Sequence, residues 1–149
     1  NFALTDINNL LESRGAIRPE SIKKEVQKVM WSYVGIVRSR KKLEIGLKKL
    51  SGLKKNLGKM RIKSVPDLIN AIDARNVVLA AELVARASLI RKESRGAHYR
   101  EDYPKQKSEW LKHIVFRKGN VGFKKTLKPK GLLAKELKRK IETKHHLLE

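Results

Sequence analysis

Apolar side chains recur at helical spacing through most of the first hundred residues. Ile22, Val26, Val29, Met30, Tyr33 and Val37 form a stripe that predicts a first helix within Arg18–Arg40. Pro19 suits its first helical position, and Glu20 favours the positive end of the helix dipole. The Val34-Gly35-Ile36 step is either a break in that helix or only a weak point. In the next run, Arg40–Leu57, leucines 43, 47, 50, 53 and 57 return every three or four residues and predict a second helix. Its interior glycines, Gly46 and Gly52, each cost up to ~1 kcal/mol, so this helix depends on packing neighbours.

The third helix has the plainest start. Ser64 offers a cap, Pro66 stands in the first turn, and Asp67 supplies a carboxylate three residues after the serine. Leu68, Ile72, Asn76, Leu79, Leu83, Ala87 and Ile90 then hold one face, widened by Ala71, Ala74, Ala80, Ala81 and Ala85. Glu82 and Arg86 stand at the favourable four-residue spacing, and Gly96 is the expected stop. Three long amphipathic helices with short connections predict a mainly α fold, an antiparallel three-helix bundle of the spectrin-repeat kind. Beyond Pro104, two apolar runs around Gly119, Asn120 and Gly122 predict a small β-hairpin lying on the bundle. Leu133, Leu137 and Ile141 predict a basic terminal helix. The expected boundaries are a linker over 1–18, the bundle over 19–104, the hairpin over 105–129 and the basic helix or tail over 130–149.

Composition narrows the functional classes. The chain has 149 residues, no cysteine, and 36 Lys and Arg against 15 Asp and Glu, a formal net charge of +21. Without thiols there are no disulfides, thiolate metal sites or thiol nucleophiles, which suits a reducing, cytoplasmic setting. No apolar run approaches the ~20 residues that span a bilayer. The chain opens at Asn1 rather than Met, as expected of a trimmed product or an excised piece. Such a charge would attract phosphate backbones, so a basic nucleic-acid-binding module is one alternative function. The lysines, however, recur in pairs between leucines as solvated helix faces do, and no zinc finger, basic zipper or RNA-binding sheet motif is present. No specific nucleic acid is therefore expected. Trp31 and Trp110 are expected as core anchors.

The densest chemistry lies in Ala85–Pro104, where arginines, carboxylates, a histidine and two tyrosines follow the most apolar helix. If the chain is extended there, His98, Arg100 and Asp102 face one side, and Tyr99, Glu101 and Tyr103 the other. A His–Arg–Asp row could orient a carboxylate substrate and move a proton, the basis of a free-standing enzyme reading. The plainer reading is a polar network in which Glu93 and Asp102 pair with Arg91, Arg95 or Arg100. His98, His113, His145 and His146 have no ligand spacing, so no metal is expected. No glycine-rich phosphate turn appears, so no nucleotide or flavin site of that kind is expected in this chain. Ser94 reads as a backbone hydrogen-bonder.

The segments Met30–Leu50, Asn76–Pro104 and Glu109–Phe116, with "RKESRGAHYREDYP" as their core, resemble the C-terminal domain of the fumarate reductase and succinate dehydrogenase flavoproteins. L-aspartate oxidase is a close relative, although its counterpart of Gly96–Pro104 tends to lack the arginine after the histidine and aromatic. The resemblance implies a bundle that follows an FAD-binding domain and a capping domain. It places the flavin and the dicarboxylate-binding histidine and arginines upstream, so no catalytic or cofactor residue is expected here. It implies FAD in the parent protein and, as partners, the upstream FAD-binding domain and an iron–sulfur subunit. It also implies access to the inner membrane face through partner subunits. Arg91, Glu93, Arg95, His98, Arg100 and Asp102 are then expected to form an ionic clasp, paired within the domain and to the flavin domain or a partner subunit. The basic tail after Pro129 departs from the family.

Overall fold

A computed structural model describes residues 8, 10–12, 15–117 and 120–125. The chain divides into two compact units, Asn1–Trp110 and Leu111–Glu149. The first holds helices α1 (Pro19–Val34), α2 (Arg40–Asn56) and α3 (Val65–Ile90). Two short strands, β1 (Val37–Arg38) and β2 (Tyr99–Arg100), pair in parallel beside them.

Helix direction follows from the contacts. Lys23 near the start of α1 reaches Asn70 and Asp73 near the start of α3, so these two helices run the same way. Ile17 pairs with Met60 and thereby ties the start of α1 to the end of α2. Tyr33 and Val34, at the end of α1, flank Gly46 of α2, where an added Cβ would lie 3.1 and 3.2 Å from their side chains. Helix α2 therefore runs antiparallel to both neighbours, as the short connections demand.

The starts of the helices match the residues that predict them. Pro19 opens α1. The Ser39 hydroxyl accepts the Lys42 N–H at the start of α2. Ser64 accepts the Asp67 N–H, while the Asp67 carboxylate accepts the Lys63 N–H. That exchange satisfies donors the helix cannot satisfy itself.

The interior departs from expectation in three places. On α3 the buried stripe is Ala71, Ala74, Val78, Ala81, Ala85 and Ser88, whereas Asn76 and Leu79 are exposed. The larger apolar residues flank that stripe, Leu68, Ile72 and Leu89 packing partly against the core. Small side chains win the centre because they let three helix backbones approach closely around Ile22, Val26, Leu43 and Leu50. Helix α1 ends at Val34 with Gly35 as its cap, so Val37 belongs to β1 and not to the helical stripe. Trp31, expected as a core anchor, is 87% exposed. It stands nine residues after the buried Ile22, about half a turn round the helix at ~100° per residue. Trp110 is buried, as expected.

The second unit contains an antiparallel hairpin of β3 (Lys112–Arg117) and β4 (Asn120–Lys125). Asn120 pairs with Arg117 and Gly122 with Val115, so both lie in the strand and not in the turn. Gly119 and the basic helix expected over 130–149 lie outside the described residues.

Candidate functional site

The ionic residues gather where α1 and α3 end together. Helix α3 stops at Ile90, and Arg91 leaves it in an extended conformation. Gly96 is not the helix stop. It has φ +56° inside the tight turn in which Arg95 and His98 exchange backbone hydrogen bonds, the left-handed geometry glycine adopts without strain.

The ending of α3 leaves carbonyls without helical partners, and Arg100 supplies them. Its Nη1 donates to the carbonyls of Ser88 (2.6 Å), Leu89 (3.1 Å) and Arg91 (3.1 Å). Its Nε and Nη2 donate to the two oxygens of Asp102, at 2.8 and 2.6 Å. A cation fixed at the negative end of the helix dipole and forked onto a carboxylate is doubly favoured. The tyrosine ring of Tyr103 lies 5.1 Å from the guanidinium carbon. Arg100 is 1% exposed.

Sequence reasoning missed the counterpart of Arg100. Strand β1 sets Arg38 in register with Arg100. Arg38 Nε donates to the Val34 carbonyl at the end of α1, and Nη1 contacts His98 Nδ1 at 2.6 Å. Two paired strands thus deliver one arginine to each helix C-terminus. The only signal for this was the position of Arg38 three residues after a glycine that ends a helix.

An arginine can only donate, so His98 Nδ1 must accept and its Nε2–H must point to the Arg91 carbonyl at 3.4 Å. The imidazole is therefore neutral. Burial lowers its pKa, and the Arg38 charge lowers it further. Burial also lowers the pKa of Arg38 itself, reinforced by the Arg100 charge alongside.

Glu93 is fully buried and saturated. Its Oε1 accepts from Arg91 Nη1 (2.6 Å) and Arg95 Nε (3.0 Å), and its Oε2 from Arg95 Nη2 (3.1 Å) and the Lys107 N–H (2.9 Å). Burial pushes this carboxyl up, but the bonds from Arg95, Lys107 and Arg91 outweigh it and hold the pKa at about 2. Asp102 is likewise held below its ordinary value by the bonds from Arg100, against burial. Ser94 is a backbone hydrogen-bonder, although beyond the helix end. Its hydroxyl accepts the Arg100 N–H at 2.8 Å and donates to the Tyr103 carbonyl at 2.9 Å. Arg91 also stacks on Trp110, 5.4 Å from the ring centre, and binds the Trp110 carbonyl.

All six residues singled out in the sequence therefore meet in one knot, the plainer polar network in which Glu93 pairs with Arg91 and Arg95 and Asp102 with Arg100, and the alternative His–Arg–Asp row does not form. His98 partners Arg38 and the Arg91 carbonyl, while Asp102 partners Arg100, and the two acid–base groups do not bond each other. His98 Nδ1 is engaged by Arg38 and Asp102 is forked onto Arg100, so the pair that the enzyme reading needs is not assembled. A shallow depression of about 250 Å³ lies beside the knot, lined by Arg40, Glu44, Leu89, Ile90, Lys92, Arg100 and Tyr103. That is smaller than the roughly 300–1,000 Å³ of ordinary ligand sites. No glycine-rich turn is among the lining residues to cradle phosphates. Among the described residues, no three His, Asp or Glu side chains converge to hold a metal, and no helix is long and apolar enough to cross a membrane.

The family model for the C-terminal region of the fumarate reductase flavoprotein matches residues 23–145. One component of the CoM/CoB fumarate reductase from Methanothermobacter marburgensis is 41% identical over 108 residues, 70% of this chain and 20% of that protein. L-aspartate oxidase from Pyrococcus furiosus is 38% identical over 96 residues, 64% of this chain and 17% of the relative. A solved E. coli quinol fumarate reductase FrdA superposes with a TM-score of 0.76 at 26% identity, covering 85% of this chain and 25% of that one. The chain spans about a fifth of the length of the curated relatives it matches, 22% and 20% in two of them. The matched residues and the superposed fold agree, and the chain belongs to the C-terminal domain family of the fumarate reductase and succinate dehydrogenase flavoproteins.

Proposed function

We propose that this chain is the non-catalytic helical part of an FAD-dependent oxidoreductase that interconverts succinate and fumarate, and that it serves domain and subunit packing. The engagement of Glu93 and His98 carries this reading: the bonds of both named above are spent inside the fold, which supports a role for the knot in fixing geometry. FAD and the dicarboxylate site then belong to the rest of the polypeptide. Residues 1–18 are the link to that part, 19–104 the bundle, 105–129 the hairpin extension and 130–149 a basic tail. The outward sides of Arg91, Arg95 and Asp102, which are partly exposed, form the clasp toward the flavin-binding portion or an iron–sulfur subunit. Such charged contacts set orientation more than affinity, because desolvation offsets much of their attraction. Partner subunits would bring the assembly to the inner membrane face from the cytoplasm.

The similarity to L-aspartate oxidases favours a second reading, in which the parent oxidises L-aspartate. One experiment tests both. The whole polypeptide and this chain alone are purified, their flavin content is measured, and dye-linked turnover of succinate, fumarate and L-aspartate is assayed. The expected result is bound FAD and dicarboxylate turnover in the whole polypeptide, and neither in this chain. Turnover by this chain with added FAD would overturn the non-catalytic reading, and turnover of L-aspartate alone would select the second parent.

A further inference from the structure

The knot end of the bundle also carries the most exposed large apolar residue of the described fold. Trp31 lies in the last turn of α1 at 87% exposure, followed by Ile36 at 68% and Val37 at 49%. Strand pairing adds Tyr99, at 42%, directly across from Val37. Paired residues share a face, so the two-strand ribbon is two-sided. Arg38 and Arg100 point inward to the helix ends, whereas Val37 and Tyr99 point outward. The Tyr99 N–H bonds the Ile36 carbonyl, which holds Tyr99 beside Ile36 and Val37.

Resting on the reading above, we propose that Trp31, Ile36, Val37 and Tyr99 form the surface that docks onto the flavin-binding portion of the same polypeptide. Aromatic side chains with aliphatic neighbours are the composition of interface hot spots, and these four side chains are uncharged in a chain of net charge +21. That charge argues against a second copy of the chain as the occupant, because two such fields repel. A polyanion would seek the lysines and not this patch. Four side chains also make too small a surface for a free partner, since stable complexes bury roughly 1,200–2,000 Å² in total. A tethered partner has no such requirement, because the link supplies a high effective concentration. The relatives provide that partner: this chain accounts for about a fifth of their length, so most of each polypeptide lies outside the matched region. Arg38 and Arg100 would then fix the ribbon from behind while its outer side meets the flavin-binding portion.

Hydroxyl-radical footprinting read by mass spectrometry tests the proposal residue by residue. Trp31 and Tyr99 are compared between this chain alone and the whole polypeptide with its flavin measured, and buried Trp110 serves as the internal reference. The expected result is fast labelling of Trp31 and Tyr99 in the chain alone and at least tenfold protection in the whole polypeptide, with Trp110 slow in both. Equal labelling of Trp31 in a flavin-loaded polypeptide would overturn the docking surface and leave the functional reading standing. A polypeptide that carries no flavin would sink both. As a second measure, Trp31→Ala should leave the melting of the chain alone unchanged, since the side chain is exposed, and should raise proteolytic release of this domain from the whole polypeptide about tenfold. No change in release would count against docking at this patch.

Discussion

The bundle interior and the two central ions of the knot, Glu93 and Arg100, are buried equally well and held by opposite physics. Ala71, Ala74 and Ala85 show no exposed surface, and neither does Glu93, while Arg100 shows 1%. The alanine stripe is held by burial and close contact, which act in every direction and depend on volume. The knot is held by directional bonds between ions removed from water, whose net worth is small while all partners are present. The difference teaches a division of labour: the bundle supplies the stability, and the knot fixes how the chain leaves α3 and returns as β2 beside β1. It also predicts different responses to damage, graded by volume in the bundle and close to all-or-none in the knot.

The largest effect is expected from Arg100→Ala. It removes the forked partner of Asp102 and takes this donor from the carbonyls of Ser88 and Leu89, while the Arg91 carbonyl keeps His98. Breaking one side of a buried ionic cluster costs about 3–5 kcal/mol, which urea denaturation of this chain would read as a lower midpoint at constant slope. A loss below about 1 kcal/mol would mean that water replaces the guanidinium easily, and the contrast with the bundle would fail.

Acid sharpens the same contrast. Glu93 has its carboxyl pKa lowered from an ordinary 4.5 to about 2 in the folded chain. Its contribution is therefore complete above pH ~4.5 and is lost as the pH falls toward ~2, because the unfolded chain takes up the proton first. Asp102, also lowered, adds in the same direction. Stability measured from pH 6 down to 2 should fall steeply in the native chain. In Glu93→Gln it should start lower and fall less steeply. Parallel pH curves for the two proteins would remove Glu93 from the acid response.

Helix periodicity made the bundle legible because burial repeats with the turn of the helix. The helix starts at Ser64 and Pro19 were legible for the same local reason. The face of α3 was not, because that helix is apolar nearly all round, and a leucine face and an alanine face compete on equal terms in the sequence. Which one wins depends on how closely the partners approach, a property of three chains of residues at once. The six knot residues could be picked out by charge density, and so could the pairing of Glu93 and Asp102 with Arg91, Arg95 and Arg100, but not the partner of His98, since Arg38 lies sixty residues upstream. Trp31 was misjudged because its size suggests a core, while the spacing from Ile22 points it outward.

A third test works in the bundle. Ala74→Leu adds volume where α3 meets its neighbours at zero exposure, and overpacking of this kind costs typically about 1–3 kcal/mol. Ala74→Ser, nearly the same size, should cost less. A ranking by volume in thermal melts supports close approach as the principle of the stripe, whereas equal losses for both variants would point to polarity instead.

The smallest expected loss comes from within the knot, where Arg38 repeats the role of Arg100 with less burial. Arg38 caps α1 with one bond to Val34 and spends another on His98, and it is only partly buried. Water can reach the groups it leaves behind, so Arg38→Met should cost about 1 kcal/mol, far less than loss of Arg100. The informative readout is the histidine. The imidazole is lowered first by burial and second by the Arg38 charge, and Arg38 also occupies Nδ1. Removing Arg38 relieves the second and frees the nitrogen, so His98 should titrate at higher pH in a proton NMR series while remaining below an exposed histidine. The sign of the linked stability follows. The depressed His98 pKa makes protonation favour the unfolded native chain as the pH falls, and this penalty should shrink in Arg38→Met. An unmoved His98 titration would mean that burial alone sets it, and the pairing of one arginine with each helix end would lose its electrostatic half.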